Sequence, residues 1–203
     1  MNQSQVAVST SVAAPARVSP LVLRGAAVVL GSALVAVCAH LSLPLLFTPV
    51  PLTLQTFAVL LLGLTLGPGT AFAALTLYLL EGAAGLPVFS PHGPGGILQL
   101  MGPTGGYLLS YPFAAALAGF LARRMRATFT TYALAAAAGS LVILALGASW
   151  FAFAHQSLST ALNLAVWPFL PGDALKVCAS AAAALGFVKL RNRFRGLNDP
   201  AGV

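Results

Sequence analysis

The stretch GAAVVLGSALVAVCAHLSLPLLFTPVPLTLQTFAVLLLGLTLGPGTAFAALTLYLL, residues 25–80, holds no aspartate, glutamate, lysine or arginine. Two further uncharged runs follow, 82–122 and 127–172, separated by Glu81 and by the basic cluster Arg123-Arg124-Met125-Arg126. About one residue in four is charged in a soluble domain. Here 6% of the 203 residues are charged, 59% are hydrophobic and mean hydropathy is +0.92. Each run is too long and too apolar for a water-soluble fold. The chain reads as an all-α integral membrane protein, one bundle with room for roughly five to seven spans of about 20 residues.

Proline and glycine cut the runs into elements. A first helix is expected over about Val22–Leu43, then a break at Pro44, Pro49 and Pro51, where donors are lost and φ is fixed. Short helices follow, one from the Thr53–Thr56 segment to about Leu66 and one over Thr70–Gly82, split by the turn Gly67-Pro68-Gly69. At 1.5 Å per residue neither spans a core of about 30 Å unaided. Irregular backbone must complete the crossing, which is tolerated only against protein or a cavity. Residues 83–106, rich in glycine and proline yet uncharged, read as a packed plug or lid. Helices over about Tyr107–Ala122, Thr130–Phe153 and Pro171–Leu190 complete the set, with an interfacial stretch near 156–170 that carries Trp167. Residues 1–20 are expected as a disordered cytoplasmic tail, 21–192 as a six-helix membrane domain, and 193–203 as a basic tail.

The net charge of +7 does not describe a nucleic-acid surface. Arg17, Arg24, Arg123, Arg124, Arg126, Lys189, Arg191, Arg193 and Arg195 all flank apolar segments, which is the positive-inside pattern. Six transmembrane helices with both termini cytoplasmic put all of them on one side. A four-span count with residues 54–82 re-entrant passes the same test and is less favoured. Cys38 and Cys178 sit in apolar helical runs without metal-ligand spacing, so they read as small core residues. No HExxH, GxSxG or GxxxxGK[ST] occurs, so no enzyme or ATP-binding reading gains support.

The remaining charges are informative. In Pro171-Gly172-Asp173-Ala174-Leu175-Lys176 an aspartate and a lysine share one helix face. An ionisable side chain at membrane depth costs roughly 2.5–3.5 kcal/mol on insertion scales, so its retention suggests a ligand. Mutual neutralisation, with Asp173 capping a helix N-terminus, is the plainer alternative. Gln55 opens the first short helix on the same outer side, where its amide can donate and accept, or merely cap frayed backbone. Glu81 ends the second short helix on that side, more in keeping with a solvated end charge than a contact. Tyr107, after Gly105-Gly106, could stack on a flat ring or anchor the interface. His92 and His155 have no partner spacing, and no metal site is expected. On the first helix Ala27/Gly31 and Ser32/Ala36 are small-xxx-small pairs, suited to packing within the bundle or to docking another membrane subunit.

Three blocks together, VPLTLQTFAVLLLGLTLGPGTAFAALTLYLLEGAAGLPVF (50–89), GPTGGYLLSYPFAAALAGFL (102–121) and LPGDALK (170–176), resemble the BioY family. These are substrate-binding S-components of energy-coupling-factor (ECF) biotin transporters. The resemblance implies an S-component-like bundle in a bacterial inner membrane, with a biotin pocket open to the outside. It also implies a transmembrane coupling protein (EcfT/BioN-like) and ATPase subunits (BioM/EcfA-like) as partners, docked on the small residues of the first helix, and no cofactor. It implies that Asp173 and Lys176 contact biotin, with Gln55 matching the glutamine of the LQT motif. The arginine that some relatives are expected to carry in the loop before the fourth helix is absent here, where only His92 is found. An i,i+3 pair is short for an extended biotin. Either the lysine reaches along its stem to the valerate carboxylate, or it meets the ureido carbonyl and another group meets the tail. An S-component for another vitamin and a purely structural membrane protein are the rival readings.

Overall fold

Ser19 starts the first helix: its hydroxyl accepts from the Leu21 N–H at 3.3 Å and Pro20 occupies the first turn, where a missing donor is harmless. The computed structural model describes residues 19–155 and 157–197. Helix α1 (Pro20–His40) is followed by two short strands, β1 (Ser42–Leu43) and β2 (Leu52–Thr53), paired antiparallel with Ser42 opposite Thr53. The three prolines lie in or beside the loop that this ladder closes. Then come α2 (Gln55–Leu66), α3 (Pro68–Ala83), α4 (Gly96–Met101), α5 (Gly105–Arg124), α6 (Phe129–His155), α7 (Leu158–Ala165) and α8 (Leu170–Leu197).

Helices α1, α5 and α6 are long and apolar enough to cross a bilayer. With 12 and 16 residues, α2 and α3 rise only about 18 and 24 Å. Leu21, Val29, Leu30, Val37, Phe113 and Leu141 point out of the bundle unburied. An exterior this apolar belongs against lipid.

Close helix approach sets the core. A β-carbon on Gly63 would sit 2.5 Å from the Ala115 carbonyl oxygen, and one on Gly119 would sit 2.6 Å from the Gly63 oxygen. Thus α2 and α5 meet backbone to backbone, as small residues allow where lipid supplies no hydrophobic drive. Gly67 takes φ +80° at the turn into α3, a conformation that suits glycine, and the Arg123 guanidinium lies on it while Nη2 donates to the Leu66 carbonyl at 3.1 Å.

The small residues of α1 serve this internal packing. Gly31 and Ser32 are buried, Gly31 against Ala74 and Leu62, while Ala27 and Ala36 are half-buried. Gly31 and Ser32 thus spend their close approach on contacts with α2 and α3. Ser32→Leu is expected to lower the melting temperature in detergent, because the added atoms have no space. A melting temperature equal to that of the parent would refute internal packing as the role of that residue.

Other expectations shift in detail. Residues 83–106 are only partly packed: Phe89, Ser90, Gln99 and Leu100 are buried, with Phe89 edge-on to Tyr78 at 5.3 Å, while Leu86, Ile97, Leu98 and Met101 are exposed, and the segment also contains α4. The stretch near 156–170 contains α7, whose start Ser157 caps by accepting from the Thr160 N–H at 3.2 Å. Trp167 is exposed. Residues 193–197, read as tail, continue α8; residues 1–18 and 198–203 lie outside the described residues. Cys38 is buried, but Cys178 is exposed and so is not a core residue.

Candidate ligand site

Six parts of the chain converge on one cavity. The loop ending in β2 brings Val50, Pro51 and Thr53, α2 brings Gln55 and Thr56, and α5 brings Tyr107, Leu108 and Tyr111. Helix α6 adds Ile143 and Leu144, α8 adds Asp173 and Lys176, and the plug loop adds Ser90, Gln99 and Thr104. The space between atoms is about 540 Å³ with the open mouth counted.

Asp173 sits in the first turn of α8, where a carboxylate suits the helix dipole. It is 6% exposed. Lys176 Nζ lies 3.2 Å from its Oδ1, and the Ser140 hydroxyl donates to Oδ2 at 3.4 Å. Each carboxylate oxygen thus keeps lone-pair capacity, and Lys176 keeps donors, on the cavity side. Burying two charges costs several kcal/mol per ion before their attraction is counted, and removing one partner typically costs about 3–5 kcal/mol. The pair is therefore tied to its place.

Gln55 is buried and half committed. Its Nε2 donates to the Tyr78 hydroxyl at 2.6 Å, and its Oε1 accepts from Thr53 Oγ1 at 3.1 Å. One N–H and one lone pair remain. Tyr107 donates its hydroxyl to the Ala165 carbonyl, and its ring lies against Gly147, where a β-carbon would strike it. The ring face forms cavity wall and the hydroxyl fixes α7.

Glu81 is not among the lining residues. Its Oε2 accepts from Ser32 on α1, one shell behind Tyr78. His92 lines an adjoining space with Gln99 and Thr104. Among the described residues no cluster of three His, Cys, Asp or Glu gathers for a metal.

Several site residues were invisible in sequence. Ser140 is one serine in an apolar helix. Thr56 Oγ1 is the one buried side-chain polar atom without a hydrogen-bond partner among the described residues, and it lines the cavity. Gln99 staples the plug, accepting from the Gly95 N–H at 3.1 Å and donating to the Ser90 carbonyl at 3.4 Å. The Trp150 indole ties the same loop to α6, donating to the Gly102 carbonyl at 2.9 Å.

A lipid-facing helical bundle enclosing a part-polar chamber, with an ion pair on its wall, defines a membrane protein that binds a small polar-headed molecule. The BioY family pattern matches residues 8–193, and the chain belongs to the BioY family. It is 38% identical over 159 residues to the biotin transporter BioY of Thermotoga maritima, covering 78% of this chain and 92% of that one. It is 39% identical over 136 residues to a probable biotin transporter BioY of Pyrococcus horikoshii, covering 67% and 79%. The fold resembles the crystal structure of the S-component for biotin from an ECF-type ABC transporter, with TM-score 0.77 at 24% identity, covering 85% of this chain and 95% of that one.

Proposed function

We propose that this chain is the biotin-binding S-component of an ECF-type uptake transporter in a bacterial inner membrane. Membership of the BioY family supports it, and the observation that carries it is the buried Asp173–Lys176 pair on the wall of a part-polar chamber. The six crossing elements are α1, α2, α3, α5, α6 and α8, with both termini and the basic clusters cytoplasmic and the chamber opening outward. A transmembrane coupling protein and two ATPases supply the energy, since the chain has no phosphate-binding loop.

Biotin's ureido ring has two N–H donors and one strongly accepting oxygen. Asp173 takes N–H donors, and Lys176, held 3.2 Å from it, reaches the ureido oxygen rather than the distant carboxylate. The spare N–H of Gln55 and the unpartnered Thr56 hydroxyl are further polar contacts. Val50, Leu108, Ile143 and Phe169 receive the thioether ring. The valerate tail extends to the rim at Ser90, Gln99 and Thr104, which offers neutral donors in place of an arginine.

The direct test is equilibrium binding of radiolabelled biotin to the purified chain, against riboflavin and thiamine. Saturable binding of biotin alone is expected; binding of another vitamin with no biotin binding would overturn the reading. A finer test concerns Thr56. Removing a buried hydroxyl that has no partner costs the fold nothing, so Thr56→Val is expected to keep or raise thermal stability. If biotin uses that hydroxyl, affinity falls roughly five- to tenfold, one neutral hydrogen bond being worth about 1 kcal/mol. Unchanged affinity would remove Thr56 from the site.

A further inference from the structure

A second hollow lies at the opposite end of the bundle from the ligand chamber, between α1, the α2–α3 turn and the ends of α5 and α8. Arg24, Arg123 and Arg191 line it together with Leu23, Val28 and Leu66, and it takes in about 1440 Å³ of open space. The sequence has only three acidic residues; Asp173 pairs with Lys176, Glu81 accepts from Ser32, and Asp199 lies outside the described residues. Among the described residues no carboxylate pairs with any of the three arginines.

We propose that this groove is a binding site for the phosphodiester headgroup of an anionic phospholipid. Three features argue for a lipid. Arg123 ends a helix long enough to cross the bilayer, which puts its guanidinium at headgroup depth. Arg123 is pinned over Gly67 by its bond to the Leu66 carbonyl, which leaves further N–H donors in a fixed fork. The groove sets its three guanidinium groups beside the apolar side chains of Leu23, Val28 and Leu66, matching an acyl chain that runs down α1 from a charged head. Basic pockets between transmembrane helices recognise lipid phosphates in this way. Guanidinium suits phosphate because its donors pair with two oxygens at once.

The test uses the full chain purified in a neutral detergent and titrated with dioctanoyl phosphatidylglycerol, dioctanoyl phosphatidylcholine or inorganic phosphate. Bound adducts are counted by native mass spectrometry. Phosphatidylglycerol is expected to bind saturably and the other two weakly. The double variant Arg24→Gln/Arg191→Gln is expected to lose roughly ten- to thirtyfold in phosphatidylglycerol affinity, at about 1 kcal/mol per basic residue. Arg126→Gln, outside the groove, controls for bulk charge and should bind as the parent does. Biotin binding, on the opposite end, should be unchanged in all variants. Equal binding of the two lipids, equal loss in Arg126→Gln, or inorganic phosphate matching the lipid would each overturn the proposal. So would a double variant that binds phosphatidylglycerol normally, which would leave the arginines to an acidic protein surface.

Discussion

Asp173→Asn is expected to lower biotin affinity by at least about a hundredfold while the protein still folds and inserts. The substitution keeps side-chain shape but removes the charge that faces Lys176 at 3.2 Å and Ser140 at 3.4 Å. Hydrogen bonds to a charged acceptor contribute about 1.5–3 kcal/mol each, so loss of two such contacts to the ureido N–H groups exceeds the roughly 2.7 kcal/mol that a hundredfold represents. The amide also presents donors where the ligand presents donors. Calorimetric titration of the purified variant with biotin reads the affinity, and circular dichroism reads the fold. Affinity within about threefold of the parent would end the assignment of Asp173. If the single variant is poorly folded because Lys176 is left without a counter-charge, Asp173→Asn/Lys176→Met removes both charges. That double variant should fold and still fail to bind.

Gly63→Val has the second large effect, and it strikes the fold rather than the ligand. A β-carbon there would lie 2.5 Å from the Ala115 carbonyl oxygen, and valine adds two methyl groups beyond it. Overpacked side chains can rotate away at a cost of about 1–3 kcal/mol. Here the obstacle is backbone in the middle of α5, so the helices must separate and the cost is expected at or above the top of that range. Size-exclusion chromatography in mild detergent should show loss of the monodisperse peak. A variant as monodisperse and heat-resistant as the parent would show that α2 and α5 do not cross at this glycine.

The helices were legible because punctuation and composition agreed. Gly67-Pro68 separates α2 from α3 within two residues of the expected positions, and Pro171 lies in the first turn of α8. The two-residue strands were not legible, because a ladder that short leaves no alternation to read, and its partners are nine and eleven positions apart across a proline-rich loop. Helix α4, sequence GILQLM, is less than two turns long and is flanked by glycine. Asp173, Lys176 and Gln55 stood out since polar atoms are rare in these runs. Thr56, Ser140 and Gln99 did not, because a single hydroxyl or amide in an apolar helix has no spacing to betray which way it faces. The face of the α1 small residues was undecidable for the same reason, and Glu81 was read as a free end because its partner Ser32 is 49 positions away.

The ladder between β1 and β2 has a mechanical corollary. It rivets the far tip of α1 to the strand that runs into Gln55, and the Leu54 N–H reinforces it by donating to the Leu41 carbonyl at 3.0 Å. Lower down, the Ser32–Glu81 bond fastens the same helix to α3, whose Tyr78 grips Gln55. A force that tilts α1 is therefore delivered at two points to one glutamine on the vestibule wall. Tilting α1 would thus strain the cavity wall at Gln55 from the tip and from the middle of the helix.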